Sequence, residues 1–125
     1  VFFVLAQVFP AWAAIIVQSK VDRSNMGLGD TLNLTVSVSS DEDVEVTEPR
    51  LPNLEGFDLV NAWSSRGRST KLVQGANGME FQSMTSYEYN YMIAAIKAGR
   101  MNIPAIEVVV NGKTYMTQPV VINVE

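Results

Sequence analysis

The last third of the chain, residues 87–125, alternates apolar and polar side chains in segments that are separated by turn residues. The segments read YEYNYMI, then VVV before NGK, and finally PVVINV. Successive side chains of a β-strand point to opposite faces of the sheet, so this alternation predicts strands. The Asn111-Gly112 pair between two of the segments is typical of a tight hairpin turn, because both residues tolerate a positive φ angle. The region therefore predicts antiparallel β-structure.

The same period of two extends upstream, most clearly in residues 31–38. The apolar positions of this segment are Leu32, Leu34, Val36 and Val38, and the polar positions are Thr31, Asn33, Thr35 and Ser37. Because the two sets fall on opposite sides of an extended chain, the segment predicts a strand with one buried and one solvated face.

Turn signals recur about every ten residues, a spacing typical of immunoglobulin-like sandwiches. Residues 57–63 predict a strand, and residues 75–78 predict a hairpin between a strand near 71–73 and a long strand that starts near Glu80. The sequence contains no apolar stripe of helical period. We therefore predict an all-β fold, an immunoglobulin-like antiparallel β-sandwich of about seven to eight strands.

Two segments are expected to lie at the edges of this sandwich. Pro49 and Pro52 cannot donate backbone hydrogen bonds, so they exclude a central strand around them. Residues 16–21 predict the first strand, which is the other candidate for an edge. Edge strands keep free backbone donors and acceptors, to which a partner's strand can pair.

The composition excludes several classes of function. The 125 residues suffice for one domain with a core of its own, and they include no cysteine and no histidine. Disulfides, zinc sites built from thiolates or imidazoles, and the common nucleophile–base pairs are therefore excluded. The net charge of −4 argues against a general affinity for nucleic acid. We predict a domain that is not an enzyme and that holds no cofactor and no metal.

The N-terminal residues predict export. Residues 1–9 form an uncharged apolar run, and Ala11-Trp12-Ala13 places small residues where signal peptidase requires them. We predict that residues 1–13 are the remnant of a signal peptide, with an uncleaved membrane anchor as the alternative. Residues 14–125 are then the sandwich domain, on the outer side of the cytoplasmic membrane.

One basic cluster is a candidate interaction surface. It consists of Arg66, Arg68 and Lys71, and it follows Trp63 in the chain. The alternation of Arg66 and Arg68 predicts that both project from the same solvated face, where an anion or an acidic patch of a partner could bind. The competing interpretation is an ordinary solvated strand face.

Two other groups of residues have both a structural and a functional interpretation. Tyr87, Tyr89 and Tyr91 share a face with Phe81 and Ile93; we favour packing in the core over an exposed stripe that stacks on sugars. The acidic residues of segment 41–48 lack the spacing of a calcium loop, so we favour a solvated loop. Their clustering in one loop also argues against a general acid–base pair.

The ordered motifs of the chain resemble the N-terminal immunoglobulin-like domain of the BatD family, the oxygen tolerance proteins of the Bacteroides aerotolerance operon. The resemblance extends from Ile16 to Glu125. The matching segments are LGD and LNLTV near residue 30, P-x-LP-x-LEGF at 49–57, the Ser-rich residues 64–70, SY-x-Y-x-Y at 86–91, G-x-x-x-IPA at 99–105, NGK-x-Y at 111–115 and PV-x-I-x-V at 119–124.

The resemblance implies a function as well as a fold. It implies the first module of a longer, membrane-associated envelope protein at the periplasmic face of the cytoplasmic membrane, linked to aerotolerance or envelope stress. Its expected partners are membrane proteins with von Willebrand A domains from the same operon. The family supplies no catalytic residues, so the expected role is a non-catalytic protein-interaction or scaffold module.

Two alternatives and one modification stay open at this stage. The first alternative is a carbohydrate- or ligand-binding module of an exported surface protein, which requires exposed rings among Trp63 and the three tyrosines. The second is a repeat of a surface adhesin. Asp30-Thr31-Leu32 resembles the three-residue O-glycosylation signal of Bacteroidetes, which makes Thr31 a candidate for glycan attachment.

Overall fold

The structure is a computed structural model that describes residues 15–125, and the predicted signal remnant lies outside these residues. The described chain forms ten strands and no helix. The strands are β1 Ile15–Val21, β2 Asn25–Met26, β3 Thr31–Ser40, β4 Val46–Arg50, β5 Phe57–Gly75, β6 Gly78–Ala95, β7 Gly99–Ile103, β8 Glu107–Val110, β9 Lys113–Met116 and β10 Val120–Val124. The prediction of an all-β sandwich is confirmed. The predicted strand number is too low, since strands as short as β2 leave no periodic signal.

The strands pair in three sheets. The largest has the order β1-β3-β6-β5 and is antiparallel throughout, while the two smaller sheets have the orders β2-β10-β7 and β4-β8-β9. β1 and β4 lie at sheet edges, as predicted for the first strand and the proline-containing segment. β5 is a further edge strand that the sequence did not reveal.

The core lies between the largest sheet and the smaller ones. The apolar face of β3 is completely buried and joins one cluster with side chains from the smaller sheets, such as Val108 and Ile122. Full burial of an aliphatic side chain of this size contributes about 1.5–3 kcal/mol. The alternation in β3 therefore determines which side of the largest sheet faces inward. The fully buried members of the β3 face are Leu32, Leu34, Val36 and Val38.

The polar face of β3 is less solvated than predicted. Thr35 and Ser37 are buried, because β3 is a central strand whose small side chains are covered by those of β1 and β6. The hydroxyl of Thr35 donates a 2.8 Å hydrogen bond to Asn90 Oδ1, and the side-chain amide of Asn33 donates to both residues at 3.2 Å. These bonds offset the cost of removing polar groups from water.

Both predicted hairpins are present. Asn111 and Gly112 have φ angles of 51° and 78°, which only a few residue types tolerate, and they connect β8 to β9. Residues 75–78 connect β5 to β6. The predicted strands at 57–63 and 71–73 are, however, parts of the single 19-residue strand β5. Among residues 15–125 we find no helix long and apolar enough to cross a membrane.

We predict opposite consequences for one substitution at two leucines. Leu34→Ala in the core should lower the free energy of unfolding by about 2–5 kcal/mol, because it removes buried contacts and leaves a cavity. Leu72→Ala on the exposed part of β5 is the control and should change it by less than about 0.5 kcal/mol. Denaturant unfolding of both variants measures the difference. Equal effects would contradict the assignment of β3 to the core.

Candidate functional site

The hairpin of β5 and β6 extends beyond the sandwich. β6 pairs with β3 only along residues 85–94, whereas it pairs with β5 down to the turn at Gly78. Residues 69–84 therefore form a two-stranded ribbon with no third strand among residues 15–125, and we call this ribbon the arm. At the usual rise of about 3.3 Å per residue, it extends about 23 Å from the sheet.

The acidic loop that follows β3 is attached to the base of the arm. The Asp43 carboxylate accepts a hydrogen bond and forms an ion pair with Arg68, and Thr85 Oγ1 donates a second bond to it at 3.3 Å. The Tyr87 hydroxyl donates a 2.9 Å bond to the backbone carbonyl of Val44. The Arg68 guanidinium beside Asp43 holds the pKa of that carboxyl below its ordinary value. The loop thus reaches across to β5 and β6.

The four residues of the predicted basic surface lie on two faces of β5. The register pairs Arg66 with Tyr87 and Arg68 with Thr85, so both arginines share the face that carries the tyrosines. The Arg66 guanidinium carbon lies 5.2 Å from the centre of the Tyr87 ring, within cation–π distance. Trp63 and Lys71 are each an odd number of residues away from Arg66 in the same regular stretch of β5. Their side chains therefore point to the other face. The structure therefore brings together the two arginines, but not all four residues.

The tyrosines pack largely in the core. Tyr89 and Tyr91 are buried, which confirms the expectation for these two rings, and burial raises the pKa of each phenol. Tyr87 is half-buried at the base of the arm. Phe81 is different, because it lies on the arm beyond the reach of the core and is 80% exposed. The period of two aligns Phe81 with the tyrosines, but it does not reveal that β3, the neighbour of β6, ends before it reaches Phe81.

Trp63 and Thr31 are both accessible. The Trp63 side chain is 44% exposed, and the register places it beside Asn90 on the outer face of the largest sheet. Thr31 is the exposed first residue of β3, and the carboxylate of the preceding Asp30 accepts a hydrogen bond from the backbone amide of Gly27. Within the described part of the chain, no three acidic side chains converge as ligands for a metal ion.

An apolar patch on the arm was not predicted from the sequence. Leu72 lies directly opposite Phe81 in the register, and Met79 is on the same face one step closer to the turn. Leu72 is 52% exposed and Met79 is 58% exposed. The sequence does contain a signal for the ribbon that carries this patch. Segment 64–70 of β5 consists only of serine, threonine, glycine and arginine. Such a segment is polar on both faces, as expected for a ribbon that has solvent on both sides.

We predict that the pKa of Asp43 depends on Arg68. Arg68→Gln should raise it towards its ordinary value of 3.8, while Arg66→Gln should raise it less, because Arg66 contributes the weaker charge interaction. NMR titration of the carboxyl measures both effects. Because the pKa of Asp43 is lowered in the folded protein, the ion pair stabilises the folded state above about pH 3.8. This contribution to stability is lost as the pH falls through the lowered pKa. A pKa that Arg68→Gln leaves unchanged would contradict the ion pair.

A second prediction concerns alkaline pH. Burial raises the pKa of Tyr89 and Tyr91 above 10.0, so the stability that depends on neutral phenols is complete below this pH and is lost as the pH rises through the raised values. Tyr89→Phe combined with Tyr91→Phe should reduce that loss, because phenylalanine has no proton to release. Denaturant unfolding as a function of pH tests this, and an unchanged alkaline profile would show that other groups cause the loss.

Comparison with known proteins places these features in a family context. Residues 19–124 match the family model described as the BatD DUF11 like domain. The match runs from within β1 to the end of β10, so it includes both strands of the arm. A search of curated proteins finds no match.

Proposed function

Because the chain belongs to the BatD family, we propose that it is a non-catalytic protein-interaction module of an exported, membrane-associated envelope protein. The module acts at the periplasmic face of the cytoplasmic membrane. Its partners are membrane proteins with von Willebrand A domains, and the assembly contributes to aerotolerance or resistance to envelope stress. The apolar N-terminal run and the Ala11-Trp12-Ala13 triplet support export.

The observation that carries the proposal is the free edge of β5 together with the arm. β5 is the outermost strand of the largest sheet, and almost every side chain along it is exposed. A sheet edge offers unpaired backbone donors and acceptors, and exposed apolar side chains beside it typically mark contact with another protein. The arm presents both features away from the core, where a partner can reach them.

The absence of cysteine and histidine from the sequence supports a role through assembly rather than chemistry. Thiol–disulfide exchange requires cysteine, and the repair of oxidised methionine requires a separate reductase. A module of this composition supports oxygen tolerance by holding other proteins together. A peroxide-reducing or thiol-exchange activity of the isolated domain would contradict this role.

The carbohydrate-binding alternative requires several accessible aromatic rings on one face. Tyr89 and Tyr91 are buried, and the Tyr87 hydroxyl is bonded to the backbone of Val44. Trp63 projects from the opposite face of the sheet. These rings therefore do not form a common stacking surface, and the geometry favours the protein-interaction module.

Co-purification tests the proposed function. The full-length protein is extracted from its own membrane in mild detergent, and the proteins that accompany it are identified by mass spectrometry. We expect proteins with von Willebrand A domains to be enriched over a matched preparation that carries the affinity tag on an unrelated membrane protein. If no protein is enriched, the proposed function is wrong.

A further inference from the structure

The free edge of β5 is unusually long and poorly protected for an edge strand. β5 has 19 residues with no proline, whereas β4 contains Pro49 and an irregular register beside it. The irregularity in β5 lies between Leu59 and Asn61, so the register is regular from Asn61 to the turn. Prolines, bulges, short length and charged side chains are the usual means by which proteins prevent edge pairing. Most of β5 lacks the first three, and its cations are what protects it from strands of like charge.

The charges along this edge select the partner. From residue 64 to residue 75, β5 carries Arg66, Arg68 and Lys71 and no acidic residue. Arg68 is neutralised by Asp43, whereas Lys71 has no carboxylate partner among the described residues. A second copy would bring its own Arg66 and Lys71 and no carboxylate to this edge, so its charges are not complementary. A strand that carries carboxylates is complementary.

The apolar patch adds a second requirement for the partner. Leu72, Met79 and Phe81 lie on the same face of the β5–β6 hairpin as Arg66. A strand added beside β5 can place an apolar side chain of its own against Leu72, which in turn lies beside Phe81. Because side chains alternate, its residues opposite Arg66 and Leu72 project to the same face and are six positions apart. A membrane surface fits less well, since the chain has a net charge of −4.

We propose that the free edge of β5, from residue 64 to residue 75, binds one extended segment of a partner protein as a fifth strand of the largest sheet. The segment carries a carboxylate opposite Arg66 and an apolar side chain opposite Leu72. This inference rests on the proposed function, to which it adds the docking surface and the chemistry of the partner segment.

Photo-cross-linking in the native membrane tests the position of the surface. The full-length protein carries p-benzoylphenylalanine in place of Phe81 or of Ser69, both of which lie on the arm and are exposed. Thr114 is the matched control, since it is exposed on the edge strand β9. We expect the two arm positions to give an adduct with one partner protein in at least about tenfold greater yield than position 114. The cross-linked peptide should carry an acidic and an apolar residue at the proposed spacing of about six.

Substitutions test the contribution of the side chains. We expect two variants to lower the yield of co-purified partner, the double variant Leu72→Ser with Phe81→Ser and the single variant Arg66→Glu. For the double variant the yield should fall at least about tenfold, because large apolar side chains are withdrawn from the interface. Arg100→Glu, at an exposed arginine of β7, is the control for the charge change and should leave the yield unchanged. Unchanged thermal unfolding of the variants shows that the loss is not caused by misfolding.

The outcomes separate the docking surface from the proposed function. If the wild-type protein enriches no partner, both are wrong. If a partner is enriched but the arm variants retain it, or if cross-linking occurs mainly from position 114, only the docking surface is wrong. Adducts from the arm to lipid, to a second copy of the chain, or to a peptide without a carboxylate also overturn the inference.

Discussion

The pairing of β3 with β6 is the interaction on which the rest of the structure depends. Ten residue pairs align Leu32, Leu34, Val36 and Val38 with the inward side chains of β6, so the two strands present one continuous apolar face. The smaller sheets pack against this face. The end of β3 at Ser40 also determines where β6 loses its second neighbour. The core and the arm are therefore set by the register and length of the same pair.

The position of Asp43 shows how the loop after β3 connects these two regions. The loop leaves β3 at its last residue, next to the row in which Ser40, Thr85 and Arg68 lie side by side. Asp43 then reaches Arg68 and Thr85 in that same row, at the base of the arm. An exposed ion pair contributes little to stability by itself. Here it also restricts the loop, whose acidic residues would otherwise be solvated at a distance from β5.

The fold could be predicted from the sequence wherever a strand has one buried face and one solvated face. The alternation in β3, the Asn111-Gly112 turn and the edge position of Pro49 each have a local cause, and each is confirmed. The length of β5 has no local cause. Segment 64–70 is polar on both sides, so its side chains alone do not distinguish a loop from a solvated ribbon. Only the pairing with β6 makes it a strand.

The candidate site was predictable only in part, for the same reason. The sequence identifies Arg66 and Arg68 as neighbours on one face, because that inference needs only the period of two. It does not separate them from Trp63 and Lys71, since the grouping of all four assumed proximity along the chain. Likewise, the period of two places Phe81 on the same face as Tyr89. Whether the Phe81 side chain is buried, however, depends on whether another strand pairs with β6 near residue 81.

The Leu72–Phe81 pair is exposed and contributes little to the stability of the fold. A cross-strand pair of this kind stabilises a hairpin by about 0.2–1 kcal/mol, whereas full burial of each side chain would contribute about 1.5–3 kcal/mol. A two-stranded ribbon is only marginally stable in water, so the distal arm belongs to the least stable part of the molecule. A strand added to β5 would give the arm the third strand that it lacks and would cover the exposed Leu72. Until such a strand binds, the cations on β5 oppose pairing between copies of the chain. In the free protein, the exposed apolar residues and the cations of β5 contribute little to the stability of the arm. The same residues would favour the ordering of the arm when a partner segment with carboxylates binds.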